Sequence, residues 1–192
     1  MGRFKHLVDI EEGMKSCRAK YNIPPHVGVR YVAQGEWFDE RKIAEVVIPM
    51  IAFIEGGMTI PMGTLTRNFL RVFRLSLTQY APNMFRVLGS IEALNKRMNL
   101  NLTHHDVNWI YNLHNLKGQG YYLKSRYSEV RLIQCLPISN KRLKDDFLIF
   151  SGQWHDGLPC PVKEGTPGGG LIIKFCNLTL YNFSIFVALY HY

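Results

Sequence analysis

The sequence predicts an α+β domain, with an N-terminal and central helical segment followed by a small, mostly antiparallel sheet. Three observations predict it. Apolar residues recur at helical spacing, most regularly at Met84, Val87, Leu88, Ile91, Leu94 and Met98. Beyond Gly120 the period changes, and "YYLKSR", "VRLIQCL" and "DFLIFSG" are rich in the aromatic and β-branched residues that strands favour. Hydrophobic residues make up 47% of the chain and charged ones 20%, so 192 residues can bury a core without disulfide or metal staples.

Taken in order, residues 7–21 read as a helix that ends before Pro24-Pro25, which impose extended backbone. "VGVRYVAQ" (27–34) is a short strand. Asp39 is placed to cap a helix running through Ile43, Val46 and Val47. Pro49 interrupts it, a fresh start carries "MIAFIE", and Gly56-Gly57 closes that segment. Residues 62–77 form an amphipathic helix with Leu65, Phe69, Val72 and Phe73 on one face and Arg67, Arg71 and Arg74 on the other. Pro82 suits the first turn of the next helix, which carries the regular stripe above. "THHD" from Thr103 is a capping pattern for a helix through Val107, Ile110, Leu113 and Leu116, stopped by "KGQG". Three strands follow, at 121–126, 130–136 and 146–152. The organisation is therefore an N-terminal helix (1–22), an α+β domain (23–154), a Pro/Gly linker (155–170) and an apolar tail (171–192). The tail's length permits a membrane span. Polar interruptions at Asn177, Thr179, Asn182 and Ser184 suit a packed strand or a segment foreign to the domain equally well.

Net charge is +8, and its placement is uneven. The first sixty residues are neutral in sum, so the whole excess lies after Ile60. A basic field of this kind attracts nucleic acid or acidic surfaces, although basicity for solubility alone gives the same sum. Cys17, Cys135, Cys160 and Cys176 form no C-x-x-C pair, which excludes a zinc ribbon or disulfide scaffold and fits reduced thiols. The N-terminus has no apolar run of signal-peptide length, so a nuclear or cytoplasmic, non-secreted location is expected.

For catalysis, the richest cluster is His104, His105, Asp106 and His114. Metal ligands on a helix converge at i, i+3 or i+4. His104 and His105 are adjacent and point about 100° apart, and His114 lies nearly three turns further on. The cap accounts for Thr103 and Asp106 without an ion. "EGTPGGG" lacks the Lys-Ser/Thr ending of a phosphate loop, and no G-x-S-x-G elbow occurs. Residues 61–120 hold only two carboxylates, Glu92 and Asp106, which is poor ground for metal-assisted phosphoryl chemistry. The expectation is a non-enzyme with no catalytic residues, metal or cofactor. Two basic features remain as candidate nucleic-acid contacts: Arg67, Arg71 and Arg74, and the loop residues Lys141, Arg142 and Lys144. Phe147, Phe150, Tyr121 and Tyr122 would stack bases if exposed. The plainer alternative makes the arginines a solvated helix face and the aromatics core.

"LPISNKRLKDDFLIFSG" resembles the "LP-S-S-N-K-G-W-K-D-R-F-F-F-V" signature of the plant gypsy-type transposon, or retrotransposon-associated, proteins. Collinear pieces agree. "IPPHVGVR" resembles the family's opening segment. "FIEGGMTIPMGTLTRNFL" is similar to its "F-x-x-G-L-R-L-P-L-H-P-F" piece at Gly57, Ile60 and Pro61. "LTQYAPNMFRVLGSIEAL" is similar to "L-x-P-N-x-W-R-x-L" at Pro82, Asn83 and Arg86, and "GYYLKSR" resembles "G-W-Y-Y-F". The similarity spans about residues 23–154. Leu143, Arg142 and Phe85 stand where the family has Trp, Gly and Trp, and the His of the "P-L-H-P-F" piece is missing; such departures fit a drifted or truncated element copy. The resemblance implies mobile-element ancestry and no established enzymatic activity. It leaves open a nucleic-acid-associated domain, a protein-interaction or self-assembly module, and a functionless copy. A membrane partner enters only if residues 171–192 form an anchor. In the signature itself, Ser139-Asn140 is expected to turn the basic loop and Asp145-Asp146 to offset its charge.

Overall fold

The computed structural model describes residues 3–33, 45–116, 120–127, 132–134, 136, 146–152 and 154. Its architecture is α+β, built around the strand that ends the signature. In β5 (Asp146–Ser151) the residues from Asp146 to Phe150 are all buried, as a continuous apolar run requires of a strand covered on both faces. β5 lies between β1 (Gly28–Ala33) and β2 (Val46–Pro49), antiparallel to both. Tyr31 and Ile48 flank Leu148, and Val29 and Val46 flank Phe150. Leu148 and Phe150 point into the main core, whereas Phe147 and Ile149 join Val32 and Val47 in a smaller cluster on the reverse face.

Two strands of this sheet thus lie between the N-terminal helix and the helices that follow Pro49. Val46 and Val47, expected on a helix capped by Asp39, are in β2, where two β-branched residues find a partner strand across from Phe150 and Ile149. Asp39 and Ile43 lie outside the described residues. Pro49 does end this segment: its extended backbone precedes α2 (Met50–Ile54), and Gly57 follows with φ of +68°.

The N-terminal segment begins with a 3-10 turn (Lys5–Leu7) and continues as α1 (Glu11–Lys20), shorter than the 7–21 expected. Phe4, Val8 and Cys17 join the main core. The Arg18 guanidinium donates to the carbonyls of Pro24 at 3.2 Å and Val27 at 2.8 Å, tying α1 to the approach to β1.

α3 (Thr64–Phe73) buries Leu65, Phe69, Leu70 and Phe73. It stops four residues short of the predicted end, where Arg74 turns left-handed at φ 52°, and Val72 is left 36% exposed rather than buried. Its N-cap, Gly63, has no side chain to offer. Glu92 of α4 (Pro82–Met98) supplies the carboxylate instead, accepting the Thr66 amide at 2.8 Å. Pro82 occupies the first turn of α4, as its fixed φ favours. Of the predicted stripe, Met84, Val87, Leu88 and Ile91 are buried, while Met98 in the last turn is 46% exposed.

α5 (His104–Ile110) starts with the expected box: Thr103 Oγ1 accepts the His105 amide, and the Thr103 amide donates to Asp106 at 2.7 Å. The helix ends at Ile110. Leu113, expected on it, lies in β3 (Tyr111–Asn115), which pairs antiparallel with β4 (Tyr121–Ser125) to form a hairpin; Leu116 follows β3 and donates its amide to the Gly120 carbonyl. The helical spacing of Val107, Ile110 and Leu113 loses to strand pairing, which gives Leu113 the partner Leu123. Of 130–136, the described residues Leu132, Ile133, Gln134 and Leu136 are not in a strand.

Rings from the sheet and helices close the core. Phe53 meets Phe150 at 5.6 Å, and Phe69 stacks on Phe73 at 4.3 Å. Each such ring contributes about 2–3 kcal/mol by burial.

Candidate nucleic-acid interface

α3 presents its three arginines differently. Arg67 is half-buried, and its Nη2 donates to Thr64 Oγ1 at 3.2 Å, one turn back. Arg71 and Arg74 are exposed. Arg74 sits where the helix ends, so it leaves the regular stripe that i, i+4, i+7 spacing predicts. The ion pairs Arg3–Glu55, Lys15–Glu11 and Arg30–Glu45 among the described residues involve neither Arg71 nor Arg74.

The two carboxylates of residues 61–120 explain this. Glu92 caps α3, and its carboxylate would collide with any Cβ at Gly63. Asp106 caps α5, accepting both the amide and the hydroxyl of Thr103. Each carboxylate faces the positive end of a helix. Neither is left to neutralise Arg71 or Arg74.

The second basic feature, Lys141, Arg142 and Lys144, lies outside the described residues, as do Ser139, Asn140 and Asp145. Asp146, expected to offset the loop's charge, is 2% exposed and turned inward, where its carboxylate accepts the Phe4 amide at 3.1 Å and the Tyr31 hydroxyl. A buried carboxylate needs such donors to offset lost hydration.

The aromatic candidates divide. Phe147 and Phe150 are 1% and 0% exposed, which removes them from any stacking role. Tyr121 packs against the core, and its carbonyl accepts the Ala81 amide at 2.8 Å. Tyr122 points the other way and lies 5.6 Å from the His114 ring. On the same outer face of β4 the exposed Lys124 follows, and the exposed Arg126 comes just after the strand ends at Ser125. Lys124 and Arg126 did not register as a site in the sequence, where "YYLKSR" reads simply as a strand. The missed signal is the alternation Tyr-x-Lys-x-Arg in a stretch without acids.

The histidines are arranged otherwise than one continuous helix would place them. His114 is on β3. The His104 and His105 rings lie 4.1 Å apart, closer than two side chains splayed by 100°. Burial lowers the His104 pKa, the neighbouring His105 lowers it further, and Asp106 opposes both. Among the described residues no three His, Cys, Asp or Glu side chains gather where they could hold a metal ion. Burial also raises the Cys17 thiol pKa, against the pull of Lys20 and Arg18. No described helix is long and apolar enough to cross a membrane.

The residues that carry the retroelement resemblance have architectural partners. Asn83 is buried and spans the backbone of β4: its Nδ2 donates to the Leu123 carbonyl at 2.9 Å, and its Oδ1 accepts the Leu123 amide at 3.3 Å. Arg86 donates twice to the Glu55 carbonyl, at 3.1 and 2.7 Å, at the end of α2. Comparison with protein-family models, with curated proteins and with solved structures finds no match for this chain.

Proposed function

We propose that this chain is a non-enzymatic domain of plant retroelement ancestry that associates with nucleic acid through a basic face centred on Arg71 and Arg74. The observation that carries the reading is the disposition of charge around α3. Its two exposed arginines are free of ion pairs with described carboxylates, because both acids of residues 61–120 serve as helix caps. Uncompensated cations on a rigid helix attract phosphates at long range and release counterions on contact. Arg67 contributes less, since it is half-buried and folded back on Thr64. The ancestry rests on the collinear sequence pieces, and their architectural roles favour a domain selected for its fold.

The test is binding of the full chain to labelled single- and double-stranded oligonucleotides across a salt series. Log affinity is expected to fall linearly with log salt. Converting Arg71→Glu together with Arg74→Glu should flatten the duplex slope by about 2, one unit per lost phosphate contact. Absence of binding at low salt, with concentration-dependent oligomers in light scattering, would instead favour an assembly module meeting an acidic partner.

A further inference from the structure

The hairpin offers a surface of a different kind. Its inner face, with Tyr111, Leu113, Tyr121 and Leu123, packs on the core. Its outer face carries Asn112 opposite Lys124 and His114 opposite Tyr122, and the exposed Arg126 follows directly after the last strand residue, Ser125. From Val107 to Tyr127 the chain has no Asp or Glu. An ordinary solvated sheet face mixes charges of both signs; this one combines cations with ring faces. The row is held firmly. Asn83 clamps β4 to α4, and Arg126 is fixed at the base, its amide donating to the Ile110 carbonyl at 2.7 Å and its Nε to the Asn108 carbonyl at 2.9 Å. At that same end Trp109 and Tyr127 remain 40% and 44% exposed.

We infer that this outer face of the hairpin binds single-stranded nucleic acid, with the Tyr122 ring as the stacking platform for a base and Lys124 and Arg126 as phosphate contacts. The inference deepens the proposed function by naming the strand state of the ligand, and it rests on that reading. Alternate residues along a strand repeat every 6–7 Å or so, close to the phosphate spacing of an extended single strand, so a base can lie on Tyr122 while its backbone passes Lys124 and continues to Arg126 just beyond the strand end. A duplex keeps its bases stacked inside and gains nothing from the ring. The ring therefore selects single strands, whereas Arg71 and Arg74 attract either form.

The experiment compares the full chain with Tyr122→Leu, Lys124→Gln and Arg71→Glu/Arg74→Glu variants, using a 20-nucleotide oligo-dT, an oligo-rU and a 20-base-pair duplex at fixed salt. Tyr122→Leu keeps apolar bulk and removes the π face; it should weaken single-strand binding roughly tenfold and leave duplex binding within about twofold. Lys124→Gln should lower the single-strand salt slope by about 0.7, the value expected for one phosphate. Unchanged oligo-dT and oligo-rU binding in both hairpin variants, with loss in the arginine pair, would overturn the hairpin site and leave the basic face standing. Failure of the parent to bind any probe at low salt would overturn both. Should Tyr122→Leu fail to fold, photocrosslinking the parent to a thiouridine oligonucleotide decides the matter. An adduct in the tryptic peptide 118–124 supports the site, and adducts confined to other peptides refute it.

Discussion

Asp146 shows how much one side chain can bind together here. It begins the central strand, and its carboxylate holds an amide 142 positions away at Phe4 and the Tyr31 hydroxyl of the neighbouring strand. In the sequence it is one of two adjacent acids beside a basic loop, and that context suggests a solvated counter-charge. Nothing local reveals that its donors come from the far end of the chain. Replacement Asp146→Ala would leave the Phe4 amide and the Tyr31 hydroxyl without their acceptor in a site 2% exposed, at an expected cost of about 2 kcal/mol. Asp146→Asn should cost less, because its carbonyl oxygen still accepts the Phe4 amide. Urea unfolding at neutral pH measures both. An alanine variant as stable as the parent would mean that water satisfies these donors. Other single residues were legible because their chemistry is local: Thr103 and Asp106 form their cap within four positions, and Pro82 fixes its own φ. The arginines were legible as a stripe but not as individuals, since the retreat of Arg67 depends on the Thr64 hydroxyl and the departure of Arg74 on where α3 ends.

Elements followed the sequence wherever a long periodic run decided the matter, as in α4, and departed from it wherever a partner did. α5 stops at Ile110 because Tyr111 onward pairs with β4, and β2 forms because β5 is there to receive it. In both places the local pattern is compatible with a helix, and tertiary pairing overrides it. The hairpin that results is not secured by its own two strands, which are marginal alone. Asn83 secures it by acting as a third strand's worth of hydrogen bonding at Leu123. Asn83→Leu keeps the volume and removes both bonds, stranding a buried amide and carbonyl; the expected loss is about 2–3 kcal/mol. Amide hydrogen exchange distinguishes local from global effects. Faster exchange is expected at Leu123 and through β3 and β4, with α2 and the β1–β5–β2 sheet nearly unaffected. Equal acceleration everywhere would show that the hairpin and the sheet open as one unit. This element also carries the outer face of Tyr122 and Lys124, so the same variant is expected to lose single-strand binding while the Arg71 and Arg74 contribution to duplex binding persists.

At the scale of the whole molecule, the chain closes on itself through its middle strand. β1 and β2 are not hydrogen-bonded to each other, and β5, about a hundred residues later, is the only described strand that joins them. The α+β class could be read from composition and period, but this order could not, because pairing between distant strands leaves no local trace. The consequence is testable by truncation. A chain ending at residue 145 keeps every described helix, the hairpin, and both outer strands of the sheet, yet loses Leu148 and Phe150 from the main core and Phe147 and Ile149 from the reverse cluster. It also loses Asp146, the acceptor for Phe4 and Tyr31. Burial of four such side chains contributes on the order of 8–10 kcal/mol, comparable to the entire stability of a domain this size. The truncated chain is therefore expected to retain helical circular dichroism but to unfold without a cooperative transition and to aggregate through the exposed edges of β1 and β2. A sharp urea transition in that fragment would mean that the helices and hairpin form an independent core. The basic face of α3 and the outer face of the hairpin, which belong to that part, would then be separable from the sheet.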